Sequence, residues 1–347
     1  MAPTTRASHS AYPSVWPQPA FNSLDDAMRV SRAAALRRHT AQCGSVMSEE
    51  LADAAPRLLF CDDFPRAVAA GSRANRDGPF STDGCAAVWF TPGEACDLLE
   101  ALDRLVLFVG DSLLRQLQQG LHTVLTGSYT QGGVPKFSFE EAKSCTCDDA
   151  FKFDCRERTF ASYMGPGELI CPKWRKGALI GTAMRLNTVE YFKEHENEVR
   201  GVMTVGGSSY SGSVIVLGIG LQEQLAAEMI LRDVYGPTIE YAKSRGDSRI
   251  ICMVLPSPDM ALKPDEYKVS QGVESVREFN EKIRRFCADR DVETLEMFAP
   301  TANASSYDGT HFGLKTNALL AQLFLNTLAQ GPGWERASAL FGTGYLF

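Results

Sequence analysis

The sequence has no stretch of about 20 consecutive apolar residues, so nothing in it predicts a membrane-spanning helix. It also lacks internal repeats, low-complexity tracts and any long run of lysine or arginine. Acidic residues outnumber basic ones by 42 to 35, and the net charge of −7 argues against a nucleic acid as partner, since a phosphate backbone attracts a clustered positive surface. What is present is an ordinary globular composition. At 347 residues and 44% hydrophobic, the chain can hold one large domain or two small ones.

Cysteine is the residue type present in excess. Ten cysteines are many for a cytosolic protein of this length, and their clustering predicts disulfides formed in an oxidising compartment. The alternatives are unrelated buried thiols or a zinc site, although the paired C-x-x-C of zinc modules is missing and we expect no metal. The first 40 residues show no apolar signal segment, so either an upstream signal or anchor is missing or the compartment assignment is wrong. Seven cysteines lie in one part of the chain: Cys61, Cys85, Cys96, Cys145, Cys147, Cys155 and Cys171.

Hydrophobic patterning predicts three regions and an α/β fold. Residues 1–57 are expected to be a flexible or helical lead, residues 58–330 a single domain, and residues 331–347 a C-terminal tail. The first part of the domain, up to residue 100, is expected to be irregular and cross-linked. From residue 101, apolar runs alternate with helical patterns, which is typical of a mostly parallel sheet covered on both faces, a three-layer α/β/α arrangement. The predicted strands are 105–109, 178–186, 214–217, 250–255 and 292–297, and the predicted helices are 112–125, 221–245, 272–290 and 314–329.

One serine stands where such a fold exposes a nucleophile. The apolar run Leu105–Val109 leads into Gly110, Asp111 and Ser112, and a helical pattern follows at once. This strand–turn–helix places Ser112 at the carboxyl edge of the sheet, where open α/β sheets bind ligands, with free N–H groups of the helix beside it. The alternative is that Ser112 only caps the helix.

An acid and an imidazole follow near the C-terminus. Asp308 and His311 are three residues apart, after the last predicted strand and before the last predicted helix. A hydroxyl needs a base to remove its proton, and the base needs a carboxylate to fix its tautomer. Ser112, His311 and Asp308 together therefore predict a catalytic triad, although a lone histidine on a loop is usually only solvated.

These motifs resemble those of the SGNH/GDSL hydrolases, and more closely their PC-esterase branch, which includes the plant trichome-birefringence-like wall acetyltransferases and the luminal domain of sialate O-acetyltransferases. The sequence Gly110-Asp-Ser-Leu-Leu-Arg-Gln-Leu is similar to the GDSxxRQL block of that branch, and Asp308-Gly-Thr-His311 to its DxxH block. Cys61-Asp-Asp-Phe64 resembles the CDxF motif of the plant members, and Gly84–Pro92 their segment of cysteine and tryptophan. The resemblance covers about residues 58–330 and implies an SGNH-like fold and a luminal, Golgi or extracellular location.

The oxyanion hole is where the sequence departs from most SGNH hydrolases. They have a Gly-x-Asn-Asp block after a central strand, whereas this chain has Gly218-Ile-Gly-Leu-Gln222 there. The PC-esterase members also depart from that block. Our candidates are therefore the N–H groups of Ser112 and Gly220, with the side chains of Arg115 or Gln222. The Gly-x-Gly could instead indicate a dinucleotide loop, but Glu223 occupies the third glycine position, and we expect no cofactor.

The resemblance implies acyl-ester chemistry on carbohydrate. His311 would deprotonate Ser112, Ser112 would attack an ester carbonyl, and the acyl-enzyme would pass to an acceptor. A sugar hydroxyl as acceptor makes a glycan O-acetyltransferase, which the resemblance favours, and water makes an O-acetyl esterase. A non-catalytic glycan-binding relative of the same fold is the third alternative. The partners implied are a glycan and an acetyl donor.

Overall fold

The structure is a computed structural model that describes residues 63–127, apart from 74, 79, 84–86, 88 and 103, together with residues 180–185, 188–209 and 212–330. The predictions for the lead at 1–57 and the tail at 331–347 lie outside the described residues, as do six of the seven clustered cysteines.

A five-stranded parallel sheet forms the centre of the molecule. Its strands are β3 (Leu105–Gly110), β4 (Ile180–Arg185), β5 (Ser213–Gly218), β6 (Ser248–Val254) and β7 (Glu293–Glu296). They lie in the order β4-β3-β5-β6-β7. Every residue of β3 and β5 is buried, as expected of strands covered on both faces. The predicted α/β fold with a mostly parallel sheet is confirmed, and each predicted strand is present.

Helices cover the sheet. The helices of at least eight residues are α2 (Pro92–Leu102), α3 (Ser112–Thr126), α4 (Val189–Ser209), α6 (Gly236–Arg245), α8 (Val273–Ala288) and α10 (Leu314–Gln330). The short ones are α1 (Phe64–Ala69), α5 (Ala227–Ile230), α7 (Asp265–Lys268) and α9 (Phe298–Thr301), and a π-helical turn, Leu231–Tyr235, joins α5 to α6. α2, α3 and α10 pack together, while α4, α6 and α8 pack against β5 or β6. Within the described residues, no helix is long and apolar enough to cross a membrane.

The predicted helix 221–245 starts later than the sequence indicates. Residues 221–225 form a turn, and the first helical residue is Ala227. Gln224 and Leu225 have positive φ angles of 49° and 60°, and the N–H of Leu225 donates to the carbonyl of Gly220 at 3.0 Å. Apolar spacing predicted a helix here because it does not detect left-handed backbone, which is uncommon for a residue such as Leu225 and tends to occur at functional sites.

The segment expected to be irregular, residues 58–100, contains regular structure in its described part. Besides α1 and α2 it holds a short antiparallel hairpin of β1 (Ser72–Arg73) and β2 (Phe80–Ser81). Thr91 and Glu94 form a reciprocal capping box at the start of α2, with the N–H of Thr91 donating to Glu94 Oε2 at 2.7 Å and that of Glu94 to Thr91 Oγ1 at 3.3 Å. The Thr-Pro-Gly-Glu sequence was a readable signal for this helix start.

The cysteines form disulfides wherever the structure describes them. Cys252 of β6 and Cys287 of α8 are joined, with their Cα atoms 6.7 Å apart. Cys96, the described member of the cysteine cluster, is also disulfide-bonded. Disulfides are therefore present, although the Cys252–Cys287 pair lies outside the cluster that suggested them.

His122, in the middle of α3, predicts a pH-dependent stability. It is buried, and burial lowers its pKa from 6.5 to about 3. In the unfolded chain His122 becomes protonated near pH 6.5, whereas in the folded chain it becomes protonated only near pH 3. The contribution of neutral His122 to the free energy of unfolding is therefore fully present above pH 6.5 and is lost as the pH falls toward 3. Between pH 7 and pH 5 the loss should be about 2 kcal/mol.

The measurement is urea unfolding of the wild type and of His122→Gln at both pH values. The variant should lose less stability on acidification, because its amide does not titrate. His195→Gln is the matched control, since His195 is only partly buried on α4. An equal loss in the wild type and in His122→Gln would contradict the assignment.

Candidate functional site

The candidate site lies at the point where the strand order reverses. β3 is the first strand of the sheet in the chain, and its neighbours β4 and β5 are the second and third. The connection after β3 leads to β4 on one side and the connection after β5 leads to β6 on the other, which opens a crevice outside the carboxyl ends of β3 and β5, where such sheets bind ligands. The turn that holds Ser112 follows β3, and the turn at 221–225 follows β5.

Ser112 is the first residue of α3, but it does not cap the helix. Asp111 is the N-cap, and its Oδ1 accepts from the N–H of Leu113 at 3.0 Å. This geometry removes the alternative role considered for Ser112 and leaves its hydroxyl free to bond elsewhere. Ser112 is partly buried, and the helix start contributes N–H groups and a positive dipole end beside it.

The three predicted side chains form one chain of hydrogen bonds. Ser112 Oγ lies 2.7 Å from His311 Nε2, and His311 Nδ1 lies 2.8 Å from Asp308 Oδ2. An ionised carboxylate can only accept, so in the neutral imidazole Nδ1 carries the proton and Nε2 is the acceptor. Nε2 is then placed to take the proton of the Ser112 hydroxyl, as a general base must be.

The loop around Asp308 fixes that carboxylate. Its Oδ1 accepts from the N–H groups of Thr310 at 2.9 Å and His311 at 2.8 Å. Partial burial alone would raise the pKa of Asp308, but the hydrogen bonds and charge of His311 and these two N–H groups lower it to about 2. Asp308 therefore stays ionised well into the acidic range and favours the tautomer of His311 that carries its proton on Nδ1.

Gly309 allows this loop to pack closely against its neighbour. Its φ is +85°, and a Cβ at this position would lie 2.4–2.5 Å from backbone atoms of Lys263. Both the left-handed backbone and the close approach require glycine. The Asp-Gly-Thr-His sequence thus determines the backbone conformation of the loop as well as supplying the side chains of Asp308 and His311.

The buried carboxylate of Asp259, on the segment that follows β6, supports the loop of Asp308 and His311. Asp259 accepts from the N–H of Ser306 at 3.1 Å and from Arg76 Nη2 at 2.8 Å, and its own N–H donates to the carbonyl of Gly309 at 3.1 Å. Asp77 adds a bond from the other side, accepting from the N–H of Ser305 at 2.7 Å. The N-terminal part of the domain thereby braces the loop of Asp308 and His311.

Asn280 holds the end of β6, the strand that precedes the segment of Asp259. Its side chain is fully buried in α8, where Oδ1 accepts from the N–H of Leu255 at 2.8 Å and Nδ2 donates to the carbonyl of Leu255 at 2.9 Å. It thus satisfies both backbone groups of the residue that follows β6.

The candidate oxyanion donors belong to two elements, since two of them lie on α3 and two on the turn after β5. The N–H of Ser112 lies at the open start of α3, and Gly220 is the second residue after β5. Arg115 is buried along α3 and donates to Gln119 Oε1 at 3.2 Å, one helical turn further on. Gln222 is exposed on the turn after β5.

Asp111 adds a second carboxylate at this site, one that the sequence reasoning passed over. It is 2% exposed, and burial raises its pKa against the opposing effects of the Leu113 N–H, the charge of His311 and the N–H groups of Gly220 and Leu221. The turn after β5 therefore directs backbone N–H groups toward the residue that precedes Ser112. The Asp of Gly-Asp-Ser was visible in the sequence, but its role as cap and neighbour of the β5 turn was not.

Within the described residues, no group of three or more histidine, cysteine, aspartate or glutamate side chains could hold a metal ion. The described groups of the site are a hydroxyl, an imidazole and two carboxylates that accept from backbone N–H groups. Such a set is equipped for proton transfer and nucleophilic attack.

No known protein family profile matches the sequence, and no characterised protein matches it by sequence. Solved structures that resemble it include an acetyl xylan esterase, at 15% identity and a TM-score of 0.37 over 64% of this chain and 98% of that one. A carbohydrate acetylesterase from Sinorhizobium meliloti matches at 15% identity and 0.35, over 65% and 98%. An acetylxylan esterase from Geobacillus stearothermophilus matches at 13% identity and 0.33, over 66% and 95%. Likenesses this weak bear on neither the substrate nor the reaction of this chain.

Proposed function

We propose that this chain is a serine-dependent acyl-ester enzyme, with Ser112 as nucleophile, His311 as general base and Asp308 as its orienting acid. The observation that carries the proposal is the continuous chain of hydrogen bonds from Ser112 Oγ through the imidazole to Asp308, at 2.7 and 2.8 Å. A serine that only caps a helix, or a histidine that is only solvated, would not require this alignment. The catalytic unit is proposed to span residues 58–330.

The proposed reaction has two half-reactions. His311 Nε2 takes the proton of Ser112 as Oγ bonds to the ester carbonyl carbon, and the imidazolium returns that proton to the departing alkoxide. The acyl group is then on Ser112, and an acceptor hydroxyl, deprotonated by His311, removes it and restores the serine. The negative oxygen of each tetrahedral intermediate needs donors, for which we propose the N–H group of Ser112 and, once it turns from the Asp111 carboxylate to the oxyanion, that of Gly220.

We propose that the acceptor is a carbohydrate hydroxyl and the acyl group acetyl, which makes the chain a glycan O-acetyltransferase. This assignment is supported by the similarity of Gly110–Leu117 and Asp308–His311 to blocks of the PC-esterase branch. The disulfides at Cys96 and between Cys252 and Cys287 support an oxidising compartment, the secretory lumen or the extracellular space.

An esterase is the second candidate, because Ser112 and His311 both retain solvent exposure, 19% for the His311 side chain. Water can therefore reach the acyl-enzyme. Hydrolysis uses water at about 55 M. Transfer to a sugar can be faster than hydrolysis only if the site holds the sugar hydroxyl at a high effective molarity, which can reach about 10⁵ M or more.

The ratio of transfer to hydrolysis decides between these two functions. An activated acetyl ester is supplied with neutral and acidic glycans, and acetylated sugar and free acetate are measured by mass spectrometry as the sugar concentration rises. We expect the ratio of acetylated sugar to acetate to rise until a glycan site saturates. If the ratio stays at the level of the Ser112→Ala control for every glycan while acetate release remains rapid, the chain is an esterase.

A non-catalytic glycan-binding protein is the remaining alternative. A serine-directed fluorophosphonate separates it from both enzymes, because only an activated Ser112 becomes phosphonylated. Peptide mapping should place the label on Ser112 in the wild type, and its absence would favour the binding protein.

A further inference from the structure

A buried lysine connects the two turns that form the candidate site. Lys263 is 4% exposed, and its Nζ donates to Thr310 Oγ1 at 2.7 Å and to Gln271 Oε1 at 3.0 Å. Gln271 is also buried, and its Nε2 donates to the carbonyl of Leu221 at 3.1 Å. A continuous path of three hydrogen bonds therefore runs from Thr310 to Leu221.

The two ends of this path flank the proposed chemistry. Thr310 lies between Asp308 and His311 in the sequence, and its N–H binds the Asp308 carboxylate. Leu221 directly follows Gly220, the candidate oxyanion donor after β5. The path thus joins the loop that carries the acid and base to the turn at the oxyanion side of Ser112.

The position of Lys263 is also unusual in energetic terms. An ammonium group is costly to bury, and lysine is rarely buried unless it is paired. Burial lowers the pKa of Lys263, while the charge of Asp308 raises it. The backbone of Lys263 is held as well, because its N–H donates to the carbonyl of Asp259 at 3.1 Å and Gly309 packs against it.

We propose that Lys263 is a positioning residue, which fixes the loop of Asp308 and His311 relative to the turn at Gly220. The inference rests on the proposed function, since it assigns Lys263 a role in the work of Ser112, His311 and Asp308. Lys263 itself does not touch the reacting atoms; it acts through Thr310 and Gln271.

The test uses three variants of the full chain, assayed with p-nitrophenyl acetate and with a fluorophosphonate. Lys263→Met removes both hydrogen bonds of Nζ; we expect kcat to fall about 10- to 100-fold with little change in KM. Lys263→Arg keeps donors for Thr310 and Gln271, so its kcat should return toward the wild-type value. Gln271→Leu removes only the bond to the turn after β5, so kcat should also fall with little change in KM. Lys268→Met is the matched control, because Lys268 is exposed on α7 and pairs with Asp265.

The outcomes separate this inference from the proposed function. If Ser112 of the wild type is not labelled, the proposed function fails and this inference fails with it. If the wild type is labelled and Lys263→Met matches it in kcat, only the inference is overturned. A fall in kcat that comes with a rise in KM of the same size, and that Lys263→Arg does not relieve, would also overturn it, since that result describes a merely structural lysine. Should Lys263→Met fail to fold, Lys263→Arg and Gln271→Leu decide: wild-type kcat in Gln271→Leu would overturn the inference.

Discussion

Ser112→Ala is expected to abolish turnover of p-nitrophenyl acetate, with a loss of at least about 10³-fold in kcat. The reason is that only the hydroxyl can form the covalent intermediate, and the alanine leaves His311 with no proton to take. The fold should be unaffected, because Asp111 rather than Ser112 caps α3. The measurements are steady-state kinetics together with thermal unfolding of both proteins.

Ser275→Ala is the matched control for this substitution. Ser275 is a partly buried serine of α8 whose hydroxyl donates to the carbonyl of Val269 at 2.7 Å, outside the candidate site, and its loss should leave kcat unchanged. A Ser112→Ala protein that keeps most of its activity and its melting temperature would refute the nucleophile assignment. A protein with a strongly lowered melting temperature would contradict the assignment of the capping role to Asp111.

The parts of the site that the sequence predicted are those carried by local pattern. The apolar run of β3 fixes where a strand ends, and Ser112 follows two residues later; the run at β5 places Gly220 in the same way. Asp308 and His311 are three residues apart, so a single turn brings them together. Each of these relations spans only a few residues, which is the range over which hydrophobic period and turn chemistry are informative.

The contacts that the sequence did not reveal join residues far apart in the chain. Asp259 and Arg76 are 183 residues apart, and Lys263 and Thr310 are 47 apart. No short motif marks them, because each bond depends on how two segments dock after the sheet has formed. The one local hint is that Asp259 follows soon after β6, at the carboxyl edge of the sheet where ligand-facing polar residues gather.

The turn at 221–225 shows a second limit of structure prediction from the sequence. Its apolar residues match a helical period, yet two consecutive left-handed residues, Gln224 and Leu225, end the pattern that would have extended the helix. Glu223 contributes to this arrangement, since its carboxylate accepts from the N–H of Val189 at the start of α4. Tertiary contacts have overridden local propensity at the place where the candidate oxyanion donor lies.

Asp308→Asn is expected to reduce kcat by about 10⁴-fold while leaving the loop in place. The asparagine Oδ1 can still accept from the N–H groups of Thr310 and His311, which the carboxylate binds at 2.9 and 2.8 Å. Its other terminal atom, however, becomes an NH₂ donor facing His311 Nδ1. The imidazole must then accept at Nδ1 and carry its proton on Nε2, so Nε2 presents a proton to Ser112 instead of a lone pair.

This loss should appear at every pH where the wild type is active, because the carboxylate it replaces has a pKa of about 2 and is ionised throughout that range. Rates are measured from pH 5 to pH 9, with thermal unfolding to show that the loop and the fold persist. Asp265→Asn is the control, since Asp265 is 91% exposed and pairs only with Lys268 on the same helix; its activity should equal that of the wild type. A correctly folded Asp308→Asn protein that retains a tenth or more of wild-type kcat would show that the tautomer of His311 is set by something other than Asp308.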